Sequence, residues 1–429
     1  MRRLDGKRYL YTLSGGDGGE RKKKQTMTHA SIFDSSSISG IRLQNRLIRS
    51  ATHESMAESS GAPSAAQEKL YCDLARGGAG AIITGYAGVQ QDGRSSYSGM
   101  LMMHDDALIP AYRRLTDAVH RCGVPIILQL AHCGRQTRSA VTGMQTVAPS
   151  ALKDLFFNED CPLELGEREI EGIVRNFVRA AGRAARAGFD GVQLHLAHGY
   201  LLSEFLSGNA NRRNDRWGGS TENRYRIVSE IFRGIRKETG DYPVLAKING
   251  FDHRRGGMRI DEAASIARML EASGCSAIEV SSGTIEEGLS IMRGPQFPSD
   301  ALLACSFRFR SMPWFLKKVL KPIFRLALPS PRPYRNYNLD AAKAVRKAVA
   351  VPVIAVGGIH TMKDISSALG SGAADYVSMS RPFIIERDIV RKLKDGKQTA
   401  SRCIMCNYCA IMIEKEPLRC WNGRVKMDN

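Results

Sequence analysis

The chain has 429 residues, with 62 Lys and Arg against 43 Asp and Glu, a net charge of +19. Hydrophobic residues make up 43%, enough for a packed core, which excludes an intrinsically disordered chain. No run approaches the roughly 20 apolar residues of a membrane-spanning helix, and the N-terminus lacks the apolar stretch of a secretory signal. The charge is local. Residues 1–26 carry eight Lys and Arg against Asp5, Asp17 and Glu20, and residues 305–335 carry eight more with no acid. Two basic segments on an otherwise mixed surface argue against a nucleic-acid partner, which needs cations along the fold itself. With ten cysteines and no secretory signal, a reducing, cytoplasmic setting is expected rather than a disulfide framework.

Residues 1–26 show no apolar period and read as a disordered basic tail, with Met27 as a candidate start. From there short apolar runs alternate with longer segments of helical period. The predicted strands are 46–51, 81–85, 125–130, 191–196, 243–248, 277–280, 352–356 and 375–379. The predicted helices are 67–76, 110–121, 169–187, 222–239, 261–272, 340–350, 362–369 and 387–394. Most strands are rich in Val, Ile and Leu without polar alternation, as strands buried on both faces are. Gly77, Gly123, Gly188, Gly240, Gly274 and Gly370 stand where helices stop. Eight such units predict an α/β fold, a (β/α)8 TIM barrel over residues 27–400, with an insertion at about 290–336 after strand six and a short cysteine-rich segment over 401–429. A doubly wound sheet would carry a Gly-x-Gly-x-x-Gly turn after its first strand, and none is present.

In a barrel, chemistry sits at the C-terminal ends of the strands, often with phosphate held after strands seven and eight. Strand seven runs into Gly357-Gly358 and strand eight into Ser380-Arg381, where backbone N–H groups and a guanidinium suit an anion. Strand three contributes Gln129, strand four His195, His198 and Tyr200, and strand five Lys247, so polar side chains from three consecutive strands converge on one mouth. Two histidines without a carboxylate make a poor zinc site. They suit donors to a developing oxyanion, with Tyr200 as a proton source.

The stretch His195-Leu-Ala-His198-Gly-Tyr200, then Asn211-Arg-Arg-Asn-Asp215 and Gly218-Gly-Ser-Thr-Glu222-Asn-Arg224, resembles the signature of the old yellow enzyme family, FMN-dependent NADH:flavin oxidoreductases and ene-reductases. Asn45-Arg46, the segment from Gln129 to Arg135, Gly357-Gly358 and Ser380-Arg381-Pro382 fit it in the same order. The resemblance implies FMN across the barrel mouth, bordered by Ala51, Thr52 and Gly85, with Gln129 on its pyrimidine edge and Lys247 beside N1 and C2=O. It implies that His195 and His198 grip a substrate carbonyl, that hydride passes from NAD(P)H through FMN to a conjugated C=C bond of an enone or enoyl compound, and that Tyr200 protonates the α carbon. Ser380 in place of the usual Gly, and Thr52-His53 in place of Pro-Met, depart from the family pattern.

Cys403-x2-Cys406-x2-Cys409-x10-Cys420 has metal-type spacing, suited to a [4Fe–4S] cluster or a structural Zn2+. It resembles the iron–sulfur segment of 2,4-dienoyl-CoA reductases and trimethylamine dehydrogenase, with shorter last gaps. A cluster here implies a second reading, a flavin/iron–sulfur electron-transfer component fed by a partner protein; a third is a non-enzymatic scaffold. Residues 312–328 place apolar residues at helical spacing with cations between, and Pro322 is expected to break or kink that helix. The segment reads as a lid attracting an anionic substrate, as an interfacial helix on an anionic membrane, or as a solvated insertion. The sequence leaves the oligomeric state open.

Overall fold

The computed structural model describes residues 29–154, 156–158, 161–327 and 331–423. The tail expected over 1–26 and the start expected at Met27 lie outside them. Eight parallel strands form the barrel: β1 Leu47–Arg49, β2 Ala81–Ile83, β3 Ile126–Ala131, β4 Gly191–Leu196, β5 Val244–Asn249, β6 Ile278–Ser281, β7 Val353–Val356 and β8 Tyr376–Met379. Each pairs with the next, and β8 pairs with β1 to close the ring. The sequence therefore identifies every barrel strand.

The outer helices are α1 Ala65–Arg76, α2 Ile109–His120, α3 Glu167–Arg186, α4 Thr221–Thr239 and α5 Ile260–Ala272. After β6 the chain makes an insertion with α6 Ser299–Cys305 and α7 Trp314–Ala327, then resumes the barrel pattern with α8 Leu339–Ala348, α9 Met362–Gly370 and α10 Ile389–Lys394. Three expectations are corrected. Gly77 and Gly370 are right-handed or helical; the left-handed stops after α1 and α9 are Gly78 (φ 94°) and Gly372 (φ 66°). The helix of the insertion also runs through Pro322 rather than breaking there. Pro322 removes one helical N–H and crowds the Lys318 carbonyl one turn back, a cost of about 3 kcal/mol that the helix carries.

Side chains on the outer faces of the strands pack against the helices in the main core. A second core fills the bottom of the barrel, where Ile48, Ile83, Ile127, Leu245 and Ile354 meet Ile38, Ile41 and Leu43 of a hairpin preceding β1. That hairpin plugs the N-terminal end, and the Tyr376 hydroxyl fixes it by donating to the Ser37 carbonyl at 2.9 Å. With one end plugged by apolar side chains, the opposite mouth is left for polar groups.

Candidate active site

A cavity of about 620 Å3 opens at the C-terminal ends of the strands. Ala51, Thr52, Gln129, His195, His198, Tyr200, Lys247, Gly357, Gly358, Ser380 and Arg381 all line it. Gly85 does not. Its N–H donates to Glu54 Oε1 at 3.1 Å, and a Cβ there would collide with the Glu54 carboxylate and the Thr52 carbonyl. Glu54 is itself held by Arg49 (2.5 Å) and the Tyr71 hydroxyl (2.8 Å), so this glycine serves the packing of the loop after β1.

The floor of the cavity is a polar network that the sequence reading missed. Gln129 Nε2 donates to Gln193 Oε1 (2.7 Å), and Gln193 Nε2 donates to Glu279 Oε2 (2.9 Å). Glu279 Oε1 accepts from Ser50 (2.7 Å) and Ser378 (2.6 Å). Lys247 Nζ lies 3.3 Å from Glu279 Oε2 and donates to Ser50 Oγ at 3.0 Å. Register explains the meeting, since Lys247 on β5 pairs with Glu279 on β6. Burial alone would raise the Glu279 pKa, but Lys247 and the hydrogen bonds from Ser378, Ser50 and Gln193 outweigh it and hold the carboxyl below its usual range. Lys247 is therefore a compensated cation. The one available signal was an acid inside an apolar strand beside a lysine-bearing neighbour.

Above this floor stand the residues after β4. His195 Nδ1 accepts the Ala197 N–H at 3.3 Å, which leaves the ring proton on Nε2. Burial first, then His198 and Lys247, hold its pKa far below the ordinary value, so His195 is a neutral donor. His198 takes a left-handed backbone (φ 67°), its N–H bonded to Asn249 Oδ1 (3.2 Å) and its Nε2 paired with Ser281 Oγ (2.8 Å). The two imidazole centroids are 5.1 Å apart, and the Tyr200 ring lies 4.8 Å from His195. The Tyr200 hydroxyl donates to the Tyr86 oxygen (3.3 Å), which in turn donates to Ser95 (3.2 Å). Burial pushes the Tyr200 phenol well up, keeping it protonated. His53 stacks on Tyr86 with centroids 5.0 Å apart, and burial lowers its pKa to about 4. Thr52 and Ser380, both departures from the family pattern, face each other with their hydroxyls 2.8 Å apart. Tyr86, Tyr97, His53 and Phe156 complete an aromatic wall that carried no sequence motif.

At the other end, Gly357 (φ 119°) and Gly358 (φ 70°) turn the chain after β7. His360 beside them has a buried Nδ1 with no hydrogen-bond partner among the described residues. Burial, then the cations of Arg381 and Arg335, depress its pKa to about 3. Arg335 is itself paired with Asp364 (3.4 Å), so the orphaned imidazole nitrogen and the Arg381 guanidinium are what fit this end of the cavity to a phosphate. Arg381 also donates to the Arg293 carbonyl (2.9 Å) and to Asn407 Oδ1 (2.7 Å), contacts the sequence did not suggest.

The roof comes from two distant segments. Phe297 and Leu302 enter from the insertion, and Cys409, Ile411, Ile413 and Leu418 from the C-terminal segment. The Tyr408 hydroxyl joins them by donating to Asp300 (2.9 Å), as does the Phe307 N–H donating to Glu414 Oε2 (3.1 Å). Among the described residues, no cation between Arg308 and Arg335 lines the cavity; its roof is formed by α6 and the C-terminal segment. Burial pushes the Cys409 thiol up to about 12; Arg381 opposes the rise, and nearby Cys403, Cys406 and Cys420 add to it. The four cysteines are neighbours, yet among the described residues no three His, Cys, Asp or Glu side chains are gathered to hold a metal ion. The expected metal centre is not assembled here.

Residues 31–294 match the model of the NADH:flavin oxidoreductase / NADH oxidase family. The chain is 33% identical over 401 residues to an NADH oxidase of Thermoanaerobacter brockii, covering 92% of this chain and 56% of that one. It is 31% identical over 388 residues to a 4,4'-dithiodibutanoate disulfide reductase of Rhodococcus erythropolis, covering 88% and 92%. Among solved structures, the old yellow enzyme homologue from Zymomonas mobilis shares the fold, with a TM-score of 0.70, 24% identity, and coverage of 93% of this chain and 99% of that one. The chain thus spans about half the length of a curated relative such as the NADH oxidase.

Proposed function

Because the chain belongs to the NADH:flavin oxidoreductase / NADH oxidase family, we propose that it is an FMN-dependent oxidoreductase that draws on NAD(P)H and reduces the activated C=C bond of an α,β-unsaturated carbonyl compound. The observation that carries this reading is the convergence of neutral His195, His198 and protonated Tyr200 on one cavity above the Lys247–Glu279 floor. Gly357, Gly358 and Arg381 would hold the phosphate of FMN, Gln129 and Lys247 would meet its ring, and Ala51, Thr52 and Ser380 would border it. Bound FMN supplies the hydride chemistry between nicotinamide and substrate.

The chain's own part is position and protons. His195 presents its Nε2–H, and His198 its ring, to a substrate carbonyl oxygen, favouring negative charge there as the C=C bond is reduced. Tyr200 holds a proton for the α carbon, and its hydroxyl is kept in place by donating to Tyr86, which donates to Ser95. The apolar roof residues Phe297, Leu302, Ile411, Ile413 and Leu418 lower the local dielectric and so strengthen these interactions.

The second reading, an electron-transfer component fed by a partner protein, is favoured by one observation: Cys409 lines the same cavity. It ranks second because the four thiols are not arranged as a metal site. Both are tested on the purified protein by its anaerobic visible spectrum, iron and sulfide content, reduction by NAD(P)H and reoxidation by 2-cyclohexenone. We expect flavin bands and enone turnover, with Tyr200→Phe slowing reoxidation about 100-fold or more while reduction by NAD(P)H is kept. A protein unable to take up FMN, or equal loss of both half-reactions, refutes the proposal. Stoichiometric iron and sulfide with poor NAD(P)H reduction supports the second reading.

A further inference from the structure

Five of the large hydrophobic side chains exposed among the described residues crowd into α7: Trp314 (69% exposed), Phe315 (54%), Leu316 (42%), Val319 (59%) and Ile323 (49%). At about 100° per residue, Phe315, Leu316, Val319 and Ile323 share an arc roughly 100° wide. Lys317, Lys318 and Lys321 occupy the other side, with Lys318 Nζ 4.9 Å from the Trp314 ring. Among its described side chains Lys317, Leu320 and Phe324 are half-buried, Lys317 Nζ donating to the Arg310 carbonyl at 2.8 Å and Phe324 packing against Phe309 at 5.3 Å. An apolar stripe of this kind is too contiguous to be ordinary surface scatter.

We propose that α7 is an interfacial helix that docks this face of the protein on an anionic lipid bilayer. Charge complementarity singles out that partner. Residues 305–335 carry eight Lys and Arg and no acid; Arg335 is paired with Asp364 (3.4 Å), but Lys318 and Lys321 stand exposed on α7 itself, so a partner that covers the stripe and presents negative charge is favoured. A second copy of this chain would bring the same cations face to face. A bilayer rich in anionic headgroups accepts both features at once, with apolar side chains below the headgroups and lysines among them. The helix spans only Trp314–Ala327, and no described helix is long and apolar enough to cross a membrane, so α7 lies on the surface. It packs against α6, whose Leu302 forms part of the cavity roof. Docking therefore sets the roof of the cavity beside the lipid, a route for apolar substrates.

The test is flotation of the full-length protein with phosphatidylcholine vesicles, with and without phosphatidylglycerol, together with tryptophan emission. Trp217 and Trp421 are buried, so an emission shift on vesicles reports Trp314. We expect binding to the anionic vesicles with a blue shift, weakened by salt and reduced roughly 25-fold by Lys318→Gln/Lys321→Gln. Val319→Glu/Ile323→Glu alters only exposed positions and should abolish binding with an unchanged thermal midpoint. Failure of the wild type to float with anionic vesicles overturns the proposal, as does equal binding to neutral ones. Binding retained by Val319→Glu/Ile323→Glu also overturns it, assigning attraction to other cations such as those of residues 1–26. So does a solution dimer that this variant dissolves without any vesicle binding.

Discussion

Replacing Glu279 by Gln tests the idea that the floor of the cavity is an electrostatic unit. The side chain is fully buried and that of Lys247 is 4% exposed, so the variant leaves an almost fully buried ammonium group without its counter-charge. It also offers one carbonyl oxygen where the carboxylate now accepts from Ser50, Ser378 and Gln193 and pairs with Lys247. Stranding one member of a buried pair costs about 3–5 kcal/mol. At roughly 2 °C per kcal/mol for a large domain, the thermal midpoint should fall by about 6–10 °C. Lys247→Met should cost a similar amount, because it strands the carboxylate. The double variant removes both charges and should recover most of either loss. Calorimetry or denaturant melts on the four proteins give the coupling energy directly. Losses in the double variant equal to the sum of the singles would show that the two groups are merely adjacent and refute the reasoning.

Glu204 is buried near Arg135, and burial raises its carboxyl to about 8, with Arg135 opposing. A carboxyl raised on folding contributes stability that is present below its unfolded value and lost as pH rises through the folded one. The thermal midpoint of Glu204→Gln relative to wild type should therefore climb between about pH 5 and pH 8 and level off above; a pH-independent difference would sink the assignment. Gly358→Ala places a Cβ against the Tyr334 carbonyl at φ 70°, so the β7 turn must shift. We expect the roughly 1–2 kcal/mol of left-handed strain to be relieved by moving the turn, and the proposed FMN affinity, read by flavin fluorescence on dilution, to drop by up to about five- to thirtyfold.

The barrel was legible because its signals are local. Each strand is a short apolar run and each helix has its own period, so the predicted ranges fall on the observed elements. The side chains converging on the mouth were legible for the same reason, since they sit at fixed positions after strands. What escaped depends on register and on contacts between distant segments. Glu279 is one acid in the run 277–280, and its meaning appears only when β5 and β6 place it opposite Lys247. Gly85 follows a strand just as Gly357 does, yet a carboxylate from another loop decides that it packs rather than lines. The aromatic wall combines His53, Tyr86 and Tyr200, brought together from three loops without any shared motif.

The guanidinium of Arg381 shows why the roof belongs to the barrel rather than sitting upon it. The same nitrogen donates to the carbonyl of Arg293, from the loop after β6, and to Asn407, between two cysteines of the C-terminal segment. Arg381 is 8% exposed and Asn407 1%, so losing either partner strands a buried donor at a cost of about 1–3 kcal/mol. The insertion and the C-terminal segment are thus tied to each other and to the end of β8 through one side chain. A change in either roof segment is felt by the residue proposed to hold the phosphate. Specificity and cofactor retention should for this reason vary together when the roof is altered, whereas the Lys247–Glu279 floor, bonded only within the barrel, should not follow.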